Sequence, residues 1–269
     1  MHLSSIEIAL RFVIPSLYLI IACGYLVQFA QNRSHLFAWM RPTQSAAITV
    51  HALHFAVFYS VTGHFPFRTV FEALYFCCFV LAILYFFMEV KAGEISFGAF
   101  LWPFNCLVAL PAFTLLGHGE PLPPRLVKPH FVLHVTMLTA AYACFFFSFV
   151  ISVMYLLQHG ILRKRKFDSL LYRLPSLDIM DQAIKKTDSL GLVLLIAGII
   201  VGMLWVFDLQ GTAVDMHLKI VSAIVTAWVY LTALTLRSWK GWQGARTSLF
   251  SIAGFVLIIL TLIIGRHGY

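Results

Sequence analysis

The stretch W-V-F-D-L-Q-G-T-A-V-D-M-H-L-K, Trp205–Lys219, decides how the rest of the chain is read. An apolar run of about twenty residues precedes it and one of about eighteen follows, each close to what crosses a ~30 Å hydrocarbon layer as a helix. Between them stand Trp205, Asp208, Asp215, His217 and Lys219. The stretch reads either as a turn between two membrane helices or as a loop that carries a cofactor site.

Runs of the same kind recur along all 269 residues. The chain is 61% hydrophobic and 11% charged, where a soluble domain carries about 25% charge. A membrane β-barrel needs alternating segments of about ten residues, and none is seen. The expected class is an all-α polytopic membrane protein, one integral-membrane domain over residues 1–269 built as a bundle of about eight transmembrane helices. Spans fall near 8–30, 45–62, 70–90, 96–116, 130–158, 189–207, 218–237 and 247–265. The first has a long apolar run and no small-residue cleavage site behind it, so it reads as a retained helix. Eight spans divide into four and four, but the halves share no similarity and no paired Gly/Pro-broken helices, which argues against a transporter.

The net charge of +8 does not point to nucleic acid, because the basic residues sit in short loops. Thirteen of the nineteen Lys and Arg follow spans 1, 3, 5 and 7, with Arg163, Lys164, Arg165 and Lys166 the densest group. Positive loops stay in the cytoplasm, so both termini are expected on the non-cytoplasmic side of the cell's inner membrane. The five cysteines lie within apolar windows and form neither C-x-x-C nor C-x-x-C-H. That argues against thiol–disulfide chemistry, a zinc site and a covalently attached c-type haem. The long loop 159–188 carries Leu174, Leu177, Ile179, Met180, Ala183 and Ile184 at roughly helical spacing, with Asp178, Asp181, Lys185 and Lys186 between them. A short cytoplasmic surface helix fits, resting on anionic lipid or docking a soluble partner.

The eleven histidines are the most informative polar residues. His51 and His54 are spaced i, i+3 in span 2, and His130 and His134 are spaced i, i+4 at the start of span 5, so each pair shares a helix face. His64, His118, His217 and His267 fall in or beside the non-cytoplasmic loops. A polar side chain inside a span faces the bundle interior or a cavity. It either hydrogen-bonds a neighbouring helix or ligates, and imidazole suits iron in haem, copper, zinc and nickel. Glu72 follows Thr69 by three residues, which reads as a helix-capping pair or as one half of an ion pair with Arg68 or Arg125. Lys219 reads as an anchor at the membrane surface, near Asp208 or Asp215, or as a contact to an anion. No general acid–base pair or nucleophile stands out, so no catalytic activity of its own is expected.

In order along the chain, several pieces resemble the CcsA/CcmC-type cytochrome c assembly proteins and, within them, the HemX/YpjD branch. G-H-F-P-F-R-T-V-F-E-A (Gly63–Ala73) resembles the signature before the third span. H-V-T-M-L-T-A-A-Y-A (His134–Ala143) resembles the helix with the first outer histidine. L-P-S-L-D (Leu174–Asp178) and G-L-V-L-L-I-A-G-I-I-V-G-M-L-W (Gly191–Trp205) resemble the central run. A-I-V-T-A-W-V-Y (Ala223–Tyr230) with G-W-Q-G (Gly241–Gly244) resembles the closing pieces, and His54 resembles a histidine common in the HemX-like branch. The family's tryptophan-rich haem loop is degenerate: Trp205 stands before it, the later tryptophans are missing, and of the His217-Leu218-Lys219 piece only Lys219 matches. Thr235 stands where many CcsA members carry a membrane histidine.

The resemblance implies a haem-handling accessory protein of cytochrome c maturation, with haem near the outer face. His134 would ligate iron with His267 or His217, with His51 and His54 as second metal candidates. Trp205 would line the site, and Arg125, Lys128, Lys219 or Arg266 would meet the propionates. Partners would be the apocytochrome or other assembly proteins of the membrane. Two alternatives stay open: a HemX-like regulator acting on a soluble enzyme of tetrapyrrole synthesis through the cytoplasmic loop, and a structural subunit of a larger redox complex.

Overall fold

The computed structural model describes residues 5–31, 37–116, 128–164, 173–208 and 217–264. Among the described residues there are eight helices and no strand: α1 (Ser5–Gln31), α2 (Phe37–Thr62), α3 (Val70–Ala92), α4 (Gly98–Thr114), α5 (Pro129–Arg163), α6 (Leu177–Asp208), α7 (His217–Lys240) and α8 (Ala245–Ile264). Six of them, α1, α2, α3, α5, α6 and α7, contain stretches long and apolar enough to cross a membrane, while α4 and α8 hold shorter apolar stretches. The expected all-helical, multi-pass membrane class is the one observed.

Burial runs opposite to that of a soluble protein. Leu19, Ile20, Leu107, Val193, Ile200 and Leu260 are exposed, whereas Gln44, His51, His54, Glu89, Asn105, Asp181 and Asp188 are buried. Hydrocarbon cannot hydrogen-bond, so polar side chains turn inward to find partners and apolar ones meet lipid.

The chain divides into two compact units, Met1–Pro123 with α1–α4 and Pro124–Tyr269 with α5–α8. In the first, α1 packs against α2 and α4, and α3 against the same two helices. The start of α3 is set as the spacing of Thr69 and Glu72 requires: the Thr69 hydroxyl accepts from the Glu72 backbone N–H at 3.1 Å. Glu72 in turn accepts from the Arg68 backbone N–H at 2.7 Å and stands 3.5 Å from the Arg68 guanidinium. Cap and ion pair are thus one arrangement. At the other end of α3, buried Glu89 accepts from Tyr25 of α1, from Gln44 of α2 at 3.0 Å and from Arg41 of α2 at 3.1 Å. One carboxylate therefore ties three helices, and its charge is answered where water cannot reach it.

In the second unit α5 and α6 make the most extensive pairing, and α8 packs against α5 and α7. Glycines let the helices close. A Cβ on Gly191 would lie 2.6 Å from the Phe145 ring, and one on Gly198 2.9 Å from Leu138. Small residues at such positions bring backbones together where no hydrophobic effect drives association. Phe145 stacks on Tyr230 of α7 with ring centroids 3.8 Å apart, and Gly254 of α8 leaves the space that the Tyr230 ring fills.

The amphipathic stretch around Met180 is helical, but it is not a separate surface element. It forms the first turns of α6 and runs unbroken into the span. Met180, Ala183 and Ile184 are buried, while Gln182, Lys185 and Lys186 are exposed. The apolar face expected on lipid or a partner is taken up inside the unit. Asp181, read from the sequence as a polar-face residue, is buried as well. It binds both terminal nitrogens of Arg237 on α7, one at 3.0 Å. It also accepts from the Gly244 backbone N–H at 2.8 Å and from Thr247 of α8 at 3.4 Å. The G-W-Q-G piece is thereby explained. Gly241 and Gly244 take φ of +64° and +67°, which L side chains rarely adopt, and the turn they form delivers an N–H to Asp181. Asp178, the acid of the L-P-S-L-D piece, is exposed and accepts from Gln182 at 2.8 Å.

Candidate functional site

His134 lies on the second turn of α5, half-buried against α6. Its Nδ1 is 2.6 Å from the Gly198 carbonyl oxygen. A carbonyl only accepts, so Nδ1 carries the proton and the neutral ring keeps its lone pair on Nε2. Metal-ligating histidines are oriented by the same device, a ring N–H given to a fixed acceptor while the other nitrogen ligates. The notch that holds the ring is made by Gly202, one turn beyond Gly198, where a Cβ would lie 2.5 Å from both Cε1 and Nδ1 of His134.

Next to the notch stand two aromatic side chains. Phe131 precedes His134 by one turn, Trp205 follows Gly202 by one turn, and their ring centroids are 5.2 Å apart. Trp205 is buried, 6% exposed. Lys128 is the N-cap residue of α5 in extended backbone, with Pro129 behind it at the first helical position. The structure therefore brings His134, Trp205 and Lys128 to one end of the α5–α6 pair. The backbone of α7 begins at His217, but the side chains of His217 and Lys219 lie outside the described residues, as do Arg125, Arg266 and His267 entirely.

His51 and His54 belong to the other unit and to a different setting. Both are fully buried on α2. His51 Nδ1 is 2.8 Å from the Tyr18 hydroxyl, and His54 Nδ1 is 3.2 Å from the Tyr75 hydroxyl. The Nε2 of each has no hydrogen-bond partner among the described residues. Around His51 the rings of Tyr75, Phe55, Phe79 and Phe113 stand with centroids 4.6 to 5.2 Å away. No group of three or more His, Cys, Asp or Glu side chains that could hold a metal occurs among the described residues. Sequence reasoning passed over the buried acids Glu89, Asp181 and Asp188. Their signal was an acid falling on the apolar side of its own helix, as Asp181 does between Met180 and Ile184.

Fold and site together define a multi-pass helical membrane protein in which one imidazole is held in a single tautomer at the end of a close helix pair. The chain belongs to the cytochrome c assembly protein family, whose model matches residues 67–267. It is similar to Protein HemX of Bacillus subtilis (strain 168), 27% identical over 91% of this chain and 89% of the relative. It is also similar to Protein HemX of Brevibacillus brevis, 30% identical over 80% of this chain and 81% of that one. Cytochrome c biogenesis protein CcsA of Chlorella vulgaris is 28% identical over 73% of each chain.

Proposed function

We propose that this protein is a haem-handling accessory of cytochrome c maturation, which binds or positions haem at the His134 end of α5 and α6. The observation that carries the reading is the fixed tautomer of His134, whose Nε2 lone pair is the form that ligates haem iron. The residues fit the group in part. Gly202 leaves the ring room, and Phe131 and Trp205 supply the apolar wall that a flat macrocycle needs. His217 or His267 is the proposed second ligand, and Lys128, Lys219, Arg125 and Arg266 are the proposed partners of the propionates. Haem would supply its iron and vinyl groups; the chain's own residues bind and orient. By the distribution of basic loops, this end lies on the non-cytoplasmic side, where an apocytochrome and other assembly proteins would meet it. The names of the CcsA relatives support the pathway. The test is an absorption spectrum of protein purified in mild detergent from haem-replete cells. A Soret band that is lost or shifted in His134→Ala is the expected result. A colourless protein, or a band that ignores His134→Ala, overturns it.

A second reading is regulatory. Gln182, Lys185 and Lys186 form an exposed polar face at the start of α6, suited to an acidic surface on a soluble enzyme of tetrapyrrole synthesis. Because Asp181 and Met180 are interior, the loop cannot be deleted without breaking the unit. Lys185→Glu with Lys186→Glu is the usable probe: it should change the level of that enzyme and leave c-type cytochromes unchanged.

A further inference from the structure

Unit two holds a polar feature unrelated to the His134 notch, about 21 Å away along α6 by helical rise. Asp188 is 3% exposed in the middle of that helix. Its Oδ2 accepts from the Ser251 hydroxyl of α8 at 2.5 Å, and its Oδ1 makes no well-formed hydrogen bond among the described residues. The antiparallel register of α5 on α6 places His134 at Gly202, Leu138 at Gly198 and Phe145 at Gly191. The same register sets Ser148 opposite Asp188, and its hydroxyl is turned toward the carboxylate without closing a well-formed bond. Ser152 follows one turn later on the same face of α5. Both serines are fully buried, and neither hydroxyl makes a well-formed hydrogen bond among the described residues, not even to the carbonyl four residues back that Ser16 and Ser45 use.

Charge sharpens the point. Asp181 is answered by Arg237. Asp188 has no ion-pair partner among the described residues; Arg237 acts on it only at longer range, and Tyr230, the other titratable group beside it, gives its hydroxyl to the Ser251 carbonyl at 3.2 Å. In its ionised form Asp188 puts one uncompensated negative charge among hydroxyl oxygens, and a single positive charge, a proton or a bound cation, offsets it. A divalent ion would leave an excess charge in hydrocarbon, and an oxygen-only donor set suits a hard cation rather than a transition metal. We propose that Asp188, Ser148, Ser152 and Ser251 form a binding site for a monovalent alkali cation, with sodium as the ion tested. On one side of Asp188, seven residues or about 10 Å of helix away, stands Asp181 with Thr247 of α8 bonded to it. The stacked Phe145 and Tyr230 rings close the other side. Bound there, the cation locks α5, α6 and α8 together.

The experiment is thermal unfolding of the full-length protein in detergent, titrated with NaCl against choline chloride at constant ionic strength. A saturable rise in Tm with sodium is expected, absent in Asp188→Asn. Should that variant fold poorly, Ser152→Ala keeps the carboxylate and should raise the half-saturating sodium concentration roughly ten-fold or more, as loss of a supporting oxygen does at metal sites. Equal Tm in NaCl and choline chloride overturns the proposal. So does a sodium response that survives Asp188→Asn, or a Tm that follows pH alone, which would assign the charge to a proton. None of these readouts depends on haem.

Discussion

His134 and the pair His51 and His54 present the same side chain in opposite surroundings. His134 gives its Nδ1 proton to a carbonyl, which has no proton to offer, so one tautomer is imposed. His51 and His54 face tyrosine hydroxyls, which donate or accept, so either tautomer serves. His134 is half-buried in a notch cut by glycine, whereas the α2 histidines are fully buried among rings. A ligand site needs a defined lone pair, and the α5–α6 end imposes one on His134. The α2 pair has the character of an internal polar joint between α2 and its neighbours α1 and α3.

The largest test of that contrast is Gly202→Leu. A Cβ there already lies 2.5 Å from the His134 ring, and three further carbons cannot fit without expelling it. Overpacking of a close helix pair costs about 1–3 kcal/mol, and this case belongs at the upper end, about 3 kcal/mol. Thermal unfolding in detergent should register that loss, and the haem spectrum should change with it. A variant that keeps both the wild-type Tm and the wild-type spectrum would show that the notch does not hold the ring.

The α2 joint should respond in stability alone. His51→Leu leaves the Tyr18 hydroxyl buried without its partner, which costs about 1–3 kcal/mol, and we expect roughly 2. Adding Tyr18→Phe removes the orphaned group and should restore most of the loss, since removing both members of a buried hydrogen bond is nearly neutral. The Soret band should be unchanged in both variants. A spectral change in His51→Leu alone would move the ligand into unit one and undo the contrast.

The membrane class could be read from apolar run length, because the physics of a span is carried by composition over about twenty residues. The helix starts were readable where local chemistry sets them, as at Thr69 and Glu72. What escaped was everything decided by which way a face turns. Met180 and Ile184 have the spacing of a surface helix, and only the packing of α6 shows that they point inward with Asp181. His134 was legible as a candidate from its place at the start of a span. Its tautomer was not, since the acceptor is a backbone carbonyl 64 residues away with no side-chain signature. The G-W-Q-G piece was legible as a motif, but its reason lies in an aspartate on another helix.

The smallest expected effect comes from Gly198→Ala, one turn from Gly202. The added Cβ would lie 2.9 Å from Leu138 Cδ2, the far end of a flexible side chain, and 3.3 Å from Met137 Cβ, which gives less easily. Against that strain stands the better helix propensity of alanine, worth about 0.8–1.0 kcal/mol in a helix interior. The two terms nearly cancel, so the change in stability should stay within about 1 kcal/mol of zero. The Gly198 carbonyl remains in place to fix His134, and the spectrum should be that of the wild type. If Gly198→Ala instead proved as damaging as Gly202→Leu, the helix pair as a whole would be intolerant of any added atom. The notch at Gly202 would then owe nothing to the histidine it holds.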